Sequence, residues 1–165
     1  MIYLNIGSNL ESSFGNRFKN IELAISLMKN ENIFIKKKSS YFETPSYPDV
    51  KKPKFINIGL EIDYKNSPLE LLKSTLLIEK KIERIRRQKN EPRTCDIDII
   101  DFNKRVIYDF KNNLFSPHKS MHKRNFVLIP FYEISKNWFH PKMNKKITNL
   151  ISKLPLRDLM SIKKI

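Results

Sequence analysis

From Lys54 to Tyr64 the chain alternates without interruption: Ile56, Ile58, Leu60 and Ile62 occupy one set of positions, Phe55, Asn57, Gly59 and Glu61 the other. Successive side chains on a strand point to opposite faces, so a period of two fixes a strand with one buried face. The branched apolar set is core. The other set, with an aromatic, an amide and a glycine in a row, either faces solvent or holds a flat polar ligand. Upstream, Pro45, Pro48 and Pro53 exclude helix and central strand and predict a long loop over residues 43–53. Loops of that length in compact domains are often functional. Downstream, Asn66-Ser67-Pro68-Leu69-Glu70 combines a serine N-cap, a first-turn proline and a glutamate at the third position. A helix is predicted there, with Leu69, Leu72, Leu76 and Ile82 as its buried stripe.

The other elements follow the same logic. Residues 2–6 read as a first strand, followed by a loop at Gly7-Ser8-Asn9. Ser12 or Ser13 is the expected cap of a helix whose core positions are Phe14, Phe18, Ile21, Ile25 and Met28. Residues 30–32 break that pattern, and residues 33–42 read as a second strand with a lysine-rich outer face. Residues 95–100 form a strand, Asn103-Lys104 a turn, and residues 105–108 its partner strand. The apolar run 126–130 predicts a buried helix.

At 165 residues the chain is most simply one domain, 1–165, with one substantial core. No stretch approaches the ~18 apolar residues of a membrane helix. No basic segment followed by a long apolar one marks a signal peptide. Cys95 is the only cysteine, which forbids an intramolecular disulfide and favours a cytoplasmic location. On an apolar strand face it reads as an inert core thiol. The net charge of +15 would suit a nucleic-acid partner. Lysine outnumbers arginine 24 to 8, however, and Asn and Ile are abundant, the joint bias that A/T-rich codons produce. Dispersed lysines make a solvated surface, so only the sparse arginines are informative by position.

The chemistry concentrates in Glu91-Pro92-Arg93-Thr94-Cys95-Asp96-Ile97-Asp98-Ile99-Ile100. Pro92 ends what precedes it, and the β-branched run is a short strand. Asp96 and Asp98 then share one face, roughly 7 Å apart at the backbone, with Cys95, Ile97 and Ile99 on the other. Two carboxylates so placed repel each other. They suit hard cations, and two Mg²⁺ ions about 4 Å apart match the spacing. The alternative is a polar outer face on an edge strand. Arg84, Arg86 and Arg87 end the preceding helix, a position the helix dipole favours for cations in any case. A loop from about Arg84 to Arg93 would also bring guanidinium groups toward the metal site, where they neutralise polyphosphate. The three glycines, Gly7, Gly15 and Gly59, form neither a phosphate loop nor a dinucleotide fingerprint. A bound nucleotide would therefore depend on arginines and metal. Farther on, His118, His122 and Arg124 suggest a phosphate-contacting loop, since the two histidines lack the further ligands of a zinc site.

Together these pieces resemble one family, the 6-hydroxymethyl-7,8-dihydropterin pyrophosphokinases of folate synthesis. The resemblance rests on Ile6-Gly7-Ser8-Asn9-Leu10, Ser40-Tyr41-Phe42-Glu43-Thr44-Pro45, Phe55-Ile56-Asn57 and Ile78-Glu79. It continues through Pro92-Arg93-Thr94-Cys95-Asp96-Ile97-Asp98 and from Pro117-His118 to Arg124-Asn125-Phe126-Val127-Leu128-Ile129-Pro130, colinear over most of residues 2–141. It implies an α+β, ferredoxin-like fold with helices packed on one side of an antiparallel sheet. It implies transfer of diphosphate from the co-substrate ATP to the pterin hydroxymethyl oxygen, with release of AMP.

By that match Asp96 and Asp98 hold two Mg²⁺ ions, and Arg84 and Arg93 join them as catalytic residues by clamping the triphosphate. His118 and Arg124 add phosphate contacts, and Ile99 lies at the adenine pocket. Phe55 and Phe126 sandwich the pterin, Thr44, Pro45 and Asn57 line its polar edge, and Glu79 is a ligand-contacting helix residue. The expected partners are the two small-molecule substrates, with no nucleic acid and no membrane, and a monomer is the default oligomeric state. Its two long loops are expected to close over substrate. The chain departs from the family pattern at Glu91, where glycine is usual, at Asn113, where some members carry arginine, and at Lys119, where an aromatic or proline is usual. The competing class is a basic RNA-binding module. Against it, the solvent-facing aromatics do not cluster on adjacent strands, and Asp96 and Asp98 would repel phosphates without metal.

Overall fold

The computed structural model describes residues 1–47, 49–85 and 91–165; Arg86 and Arg87 lie outside them. The chain runs β1 (Ile2–Ser8), α1 (Arg17–Asn30), β2 (Phe34–Lys38), β3 (Phe42–Thr44), β4 (Phe55–Asp63), α2 (Pro68–Lys81) and β5 (Asp96–Phe102). A hairpin of β6 (Ile107–Asp109) and β7 (Leu114–Ser116) leads to α3 (Asn125–Ile134). After it come a second hairpin, β8 (Phe139–His140) with β9 (Lys145–Lys146), the short helices α4 (Ile147–Ile151) and α5 (Leu156–Ser161), and β10 (Lys163–Lys164). The main sheet is antiparallel, in the order β10-β3-β4-β1-β5, and β2 pairs with the far half of β4. With β1 and β4 central and a helix in each crossover, this is the ferredoxin-like α+β arrangement.

The alternation of β4 is obeyed residue by residue. Ile56, Ile58, Leu60 and Ile62 join Leu4 and Ile6 of β1 and Ile97 and Ile99 of β5 beneath Ile21, Ala24 and Met28 of α1 and Leu71 and Ile78 of α2. Burying each of the large apolar side chains contributes about 1.5–3 kcal/mol. The opposite face is covered too, which corrects the expectation of helices on one side only. Val127, Leu128 and Phe131 of α3, Trp138, and Ile147 of α4 pack there on Tyr3 and Ile100. Gly59 permits the approach, because a Cβ at that position would stand 3.1 Å from the Pro130 backbone. Pro130 has no N–H, which leaves the Phe126 carbonyl without its helical partner. Asn5, with its amide nitrogen turned inward, donates to Phe126 O at 3.0 Å and to Ile58 O at 3.2 Å.

Local chemistry moved several boundaries. The capping box at Ser67 and Glu70 forms as expected. The buried line of α2, though, runs through Leu71, Thr75, Ile78 and Glu79, with Ile82 just after it, while Leu76 is exposed at the rim of a cleft. Helix α1 is capped by Asn16 rather than a serine, since Ser12 is engaged in a tight turn with Gly15 and Phe14 is left exposed. The strand expected over 33–42 divides in two where Ser39 exchanges hydrogen bonds with Gly59, its Oγ accepting from Gly59 N and its N–H donating to Gly59 O. Residues 107–109 pair with β7 rather than with β5.

Candidate active site

Strand register lays out the floor of the site. Gly7 of β1 stands between Asn57 of β4 and Asp96 of β5, and Asn5 stands between Gly59 and Asp98. Directly paired residues share a face, so two parallel rows, Asn57–Gly7–Asp96 and Gly59–Asn5–Asp98, lie on the α3 side of the sheet. Helix α3 covers Gly59 and Asn5 of the second row and stops at its first turn, so Asp96 and Asp98 are partly exposed while Asn57 and Gly7 are buried. A Cβ at Gly7 would come within 3.0 Å of Asn57 Oδ1 and 3.4 Å of the Phe55 ring, so the missing side chain keeps this floor flat.

Arginines converge on the carboxylates. Arg93 Nη2 lies 2.8 Å from Asp96 Oδ2 and Arg84 Nη2 3.4 Å from Asp96 Oδ1, while Arg124 Nη1 lies 3.3 Å from Asp98 Oδ2. Arg84 is anchored further by Nη1 donating to Cys95 O at 2.9 Å. Two of these guanidinium groups also rest on aromatic faces, Arg93 over Phe55 at 4.9 Å and Arg124 over Phe126 at 5.5 Å. Asn57 Nδ2 donates to Thr44 Oγ1 at 3.0 Å, and Pro45 follows at the half-buried rim. Asp96, Asp98, Arg84, Arg93, Arg124, Phe55, Phe126, Asn57 and Thr44 are thus brought to one region.

The free edge of β5 borders a cleft of about 290 Å³ lined by Leu72, Leu76, Ile97, Ile99, Leu114 and Phe115, with Asp98, Asn112, Asn113, His118 and Lys119 as its polar wall. His118 N donates to Ile100 O at 2.9 Å, which fixes the loop against the strand. Burial, reinforced by Arg124 and Lys119, pushes the His118 pKa down to about 4. Ser120 N donates to its Nδ1, so the neutral ring carries its proton on Nε2. At Asn113 and Lys119, Lys119 Nζ donates to Asn113 Oδ1 at 3.2 Å, and the ammonium lies over Phe115. Glu79 stands apart from the aromatic slot. It is buried under β5 on the α2 side and accepts from Ile97 N at 2.8 Å. Cys95 is fully buried, and desolvation pushes its thiol pKa up, as expected of a core residue.

Asn9 was not singled out by side-chain chemistry, yet it ties the site together. Its Nδ2 donates to Ser46 Oγ and Pro53 O, and its Oδ1 accepts from Arg93 N at 2.6 Å. Both ends of the proline-rich loop are thereby joined to the Arg93 segment. Its signals in sequence were its position after a strand and a glycine and its place in the Ile6-Gly7-Ser8-Asn9-Leu10 motif, neither of which shows what it binds. Among the described residues no three His, Cys, Asp or Glu side chains cluster as a closed metal cage. Two half-exposed carboxylates fit Mg²⁺, which keeps waters and takes further oxygens from phosphates. They would not suit a metal that needs a full protein shell.

The fold and site define a class: a ferredoxin-like α+β domain with paired carboxylates, converging arginines and two aromatic rings that carry arginines on their faces. The family model described as 7,8-dihydro-6-hydroxymethylpterin-pyrophosphokinase matches residues 3–136, and the chain belongs to that family. It is 37% identical over 153 residues to the bifunctional protein FolKE of Lactococcus lactis, a match spanning 92% of this chain and 42% of that protein. It is 34% identical to the 2-amino-4-hydroxy-6-hydroxymethyldihydropteridine pyrophosphokinase of Synechocystis, covering 88% of this chain and 73% of that one. The chain therefore spans less than half the length of the longer curated relatives. A crystal structure of Plasmodium falciparum HPPK-DHPS with pterin and p-hydroxybenzoate shares the fold, with a TM-score of 0.75 at 16% identity over 99% of this chain and 47% of that one. Among the described residues no helix is long and apolar enough to cross a membrane.

Proposed function

We propose that this chain, residues 1–165 forming one domain, transfers diphosphate from ATP to the hydroxymethyl oxygen of 6-hydroxymethyl-7,8-dihydropterin and releases AMP, acting as a monomer in the cytoplasm. One observation carries the reading. Each aspartate is held by an arginine that also lies on an aromatic ring, Asp96–Arg93–Phe55 on one side and Asp98–Arg124–Phe126 on the other. Acid, cation and stacking surface thus meet twice at one place. The pterin ring enters between Phe55 and Phe126, with Asn57 and Thr44 along its polar edge.

In the reaction the pterin oxygen attacks the β-phosphorus of ATP. The bond from that phosphorus to the α,β-bridging oxygen breaks, AMP leaves with the oxygen, and the hydroxyl proton passes to solvent water. Mg²⁺ held by Asp96 and Asp98 would supply charge neutralisation and polarisation of the phosphate oxygens. The chain's own groups provide the placement. As the triphosphate enters, its oxygens replace the carboxylates as partners of Arg84, Arg93 and Arg124, which releases the aspartates as ligands. No charge is left unpaired during the exchange, so the large penalty for a lone desolvated charge is avoided. Neutral His118 donates from Nε2 to a phosphate oxygen without competing for cation positions. The apolar cleft beside Ile99 takes the adenine.

Separating the nucleotides after incubation with Mg²⁺, ATP and pterin tests this reading. AMP formed mole for mole with pterin diphosphate is the expected product pattern. ADP in its place would make the protein an ordinary phosphoryl kinase and overturn the proposal.

A further inference from the structure

The proposed pterin slot takes its walls from distant parts of the chain, and residues 156–165 touch both. One wall is β3, which ends at Thr44; the other is the first turn of α3, which carries Phe126. Asn125, directly before Phe126, donates through Nδ2 to Asp158 O at 2.5 Å and to Ser161 Oγ at 3.2 Å, and Ser161 Oγ donates to Asp158 O at 2.8 Å. The chain then pairs along the outer edge of β3, Lys163 opposite Glu43 and Lys164 opposite Phe42, with Ile165 N donating to Tyr41 O at 3.0 Å. A third tie joins the two: Lys164 Nζ donates to Glu133 Oε1 at 2.6 Å, and the same α3 carboxylate accepts from Ser40 N at 2.6 Å and Ser40 Oγ at 2.9 Å, just ahead of β3. Apolar packing supplies one anchor, Leu159 against the α3-side core, and little else. Helix α5 has no buried residue, and Leu156 and Met160 are 71% and 73% exposed. Polar contacts to the two walls set its position.

We propose that residues 156–165 are a strap that fixes the separation between the Phe126 wall and the Thr44 wall, so that Asn125 and Lys164 are positioning residues for the pterin. The inference rests on the function proposed above. The ring itself lies between Phe126 and Phe55, and Thr44 pairs directly with Phe55 across β3 and β4. Fixing β3 against α3 therefore also fixes the gap between those two faces, roughly 7 Å or two contact distances of about 3.5 Å. Dispersion falls away within a fraction of an ångström beyond contact, so a strap that holds the gap acts on pterin affinity before anything else. The nucleotide cleft beside β5 lies on the far side of the sheet from β10 and is untouched by it.

Steady-state kinetics with both substrates varied test this in Asn125→Ala/Lys164→Ala, with Lys164→Arg as the conservative control and thermal melting alongside. The expected result is a KM for pterin raised about tenfold, with kcat and the KM for ATP within twofold of wild type and Lys164→Arg unchanged. A folded double variant with an unaltered pterin KM would overturn the strap, as would a uniform fall of all constants that tracks loss of melting temperature. If the double variant does not fold, Lys164→Ala alone carries the test on the same terms. A wild-type protein without pterin-dependent AMP formation would instead remove the underlying reading and this inference with it.

Discussion

Arg93 and Asp96, three residues apart, close an ion pair of 2.8 Å at the start of β5. The strand places Asp96 on the α3 face, while the preceding loop returns the Arg93 guanidinium onto the same face and across Phe55. One side chain therefore joins the Asp96 carboxylate, the proposed metal ligand, to the Phe55 ring, the proposed stacking surface.

Replacing that arginine by lysine keeps the charge but loses both the planar fork and the ring stacking. Arg93→Lys is expected to lower kcat/KM for ATP by about 10²-fold, on the order seen when one transition-state donor is removed. The fold is retained, since the pair is partly exposed and its contribution to stability is small. Initial rates at saturating pterin and a thermal melt check both halves.

Gly7→Ala places a methyl 3.0 Å from Asn57 Oδ1 and 3.4 Å from the Phe55 ring. Either the amide or the ring gives way, and both belong to the proposed pterin slot. Calorimetric pterin affinity is expected to fall about tenfold, while stability changes by no more than the ~1–3 kcal/mol typical of mild overpacking.

His118 is held neutral by burial, with Arg124, Lys119 and His122 adding repulsion that Asp96 only partly offsets. Its folded pKa, about 4, lies below the ordinary 6.5. Between those values the unfolded chain binds the proton and the folded one does not, so stability falls as pH drops through that window, by up to ~1.4 kcal/mol per unit. Above about pH 6.5 this group adds no slope. Denaturant midpoints from pH 7 to pH 4 are expected to fall less steeply in His118→Gln than in wild type.

Trp138 Nε1 donates at 2.7 Å to Asp101 Oδ2, and Asp101 is completely buried. Trp138→Phe leaves that oxygen with no side-chain donor and is expected to destabilise by about 1–3 kcal/mol in urea.

Much of this architecture is legible in sequence where the signal is local. The β4 alternation and the Ser67–Glu70 capping box needed nothing beyond neighbouring residues, and both formed as read. Most of what was missed depended on partners remote in the chain, the cap of α1 being the local exception. Gly59 looked like one more residue on an open face because nothing in residues 54–64 shows that Pro130 will sit on it. Asn16 displaced Ser12 as a helix cap because Ser12 was already committed to a turn with Gly15. Asp96 and Asp98 were visible as a pair and the arginines as loop residues directed toward them, while resemblance supplied the pairing of Phe55 with Phe126. The rows that join the aspartates to Gly7 and Asn5 exist only once the strands are registered. Asn9 acts through contacts with residues more than thirty positions away, which no local pattern encodes.

The central claim is tested most directly by AMP release from ATP with Mg²⁺, in the presence and absence of 6-hydroxymethyl-7,8-dihydropterin, by wild type and Asp96→Ala side by side. The account predicts AMP release by wild type that requires the pterin and falls by at least about 10²-fold in the variant. AMP release that ignores the pterin, or that survives intact in folded Asp96→Ala, would contradict it.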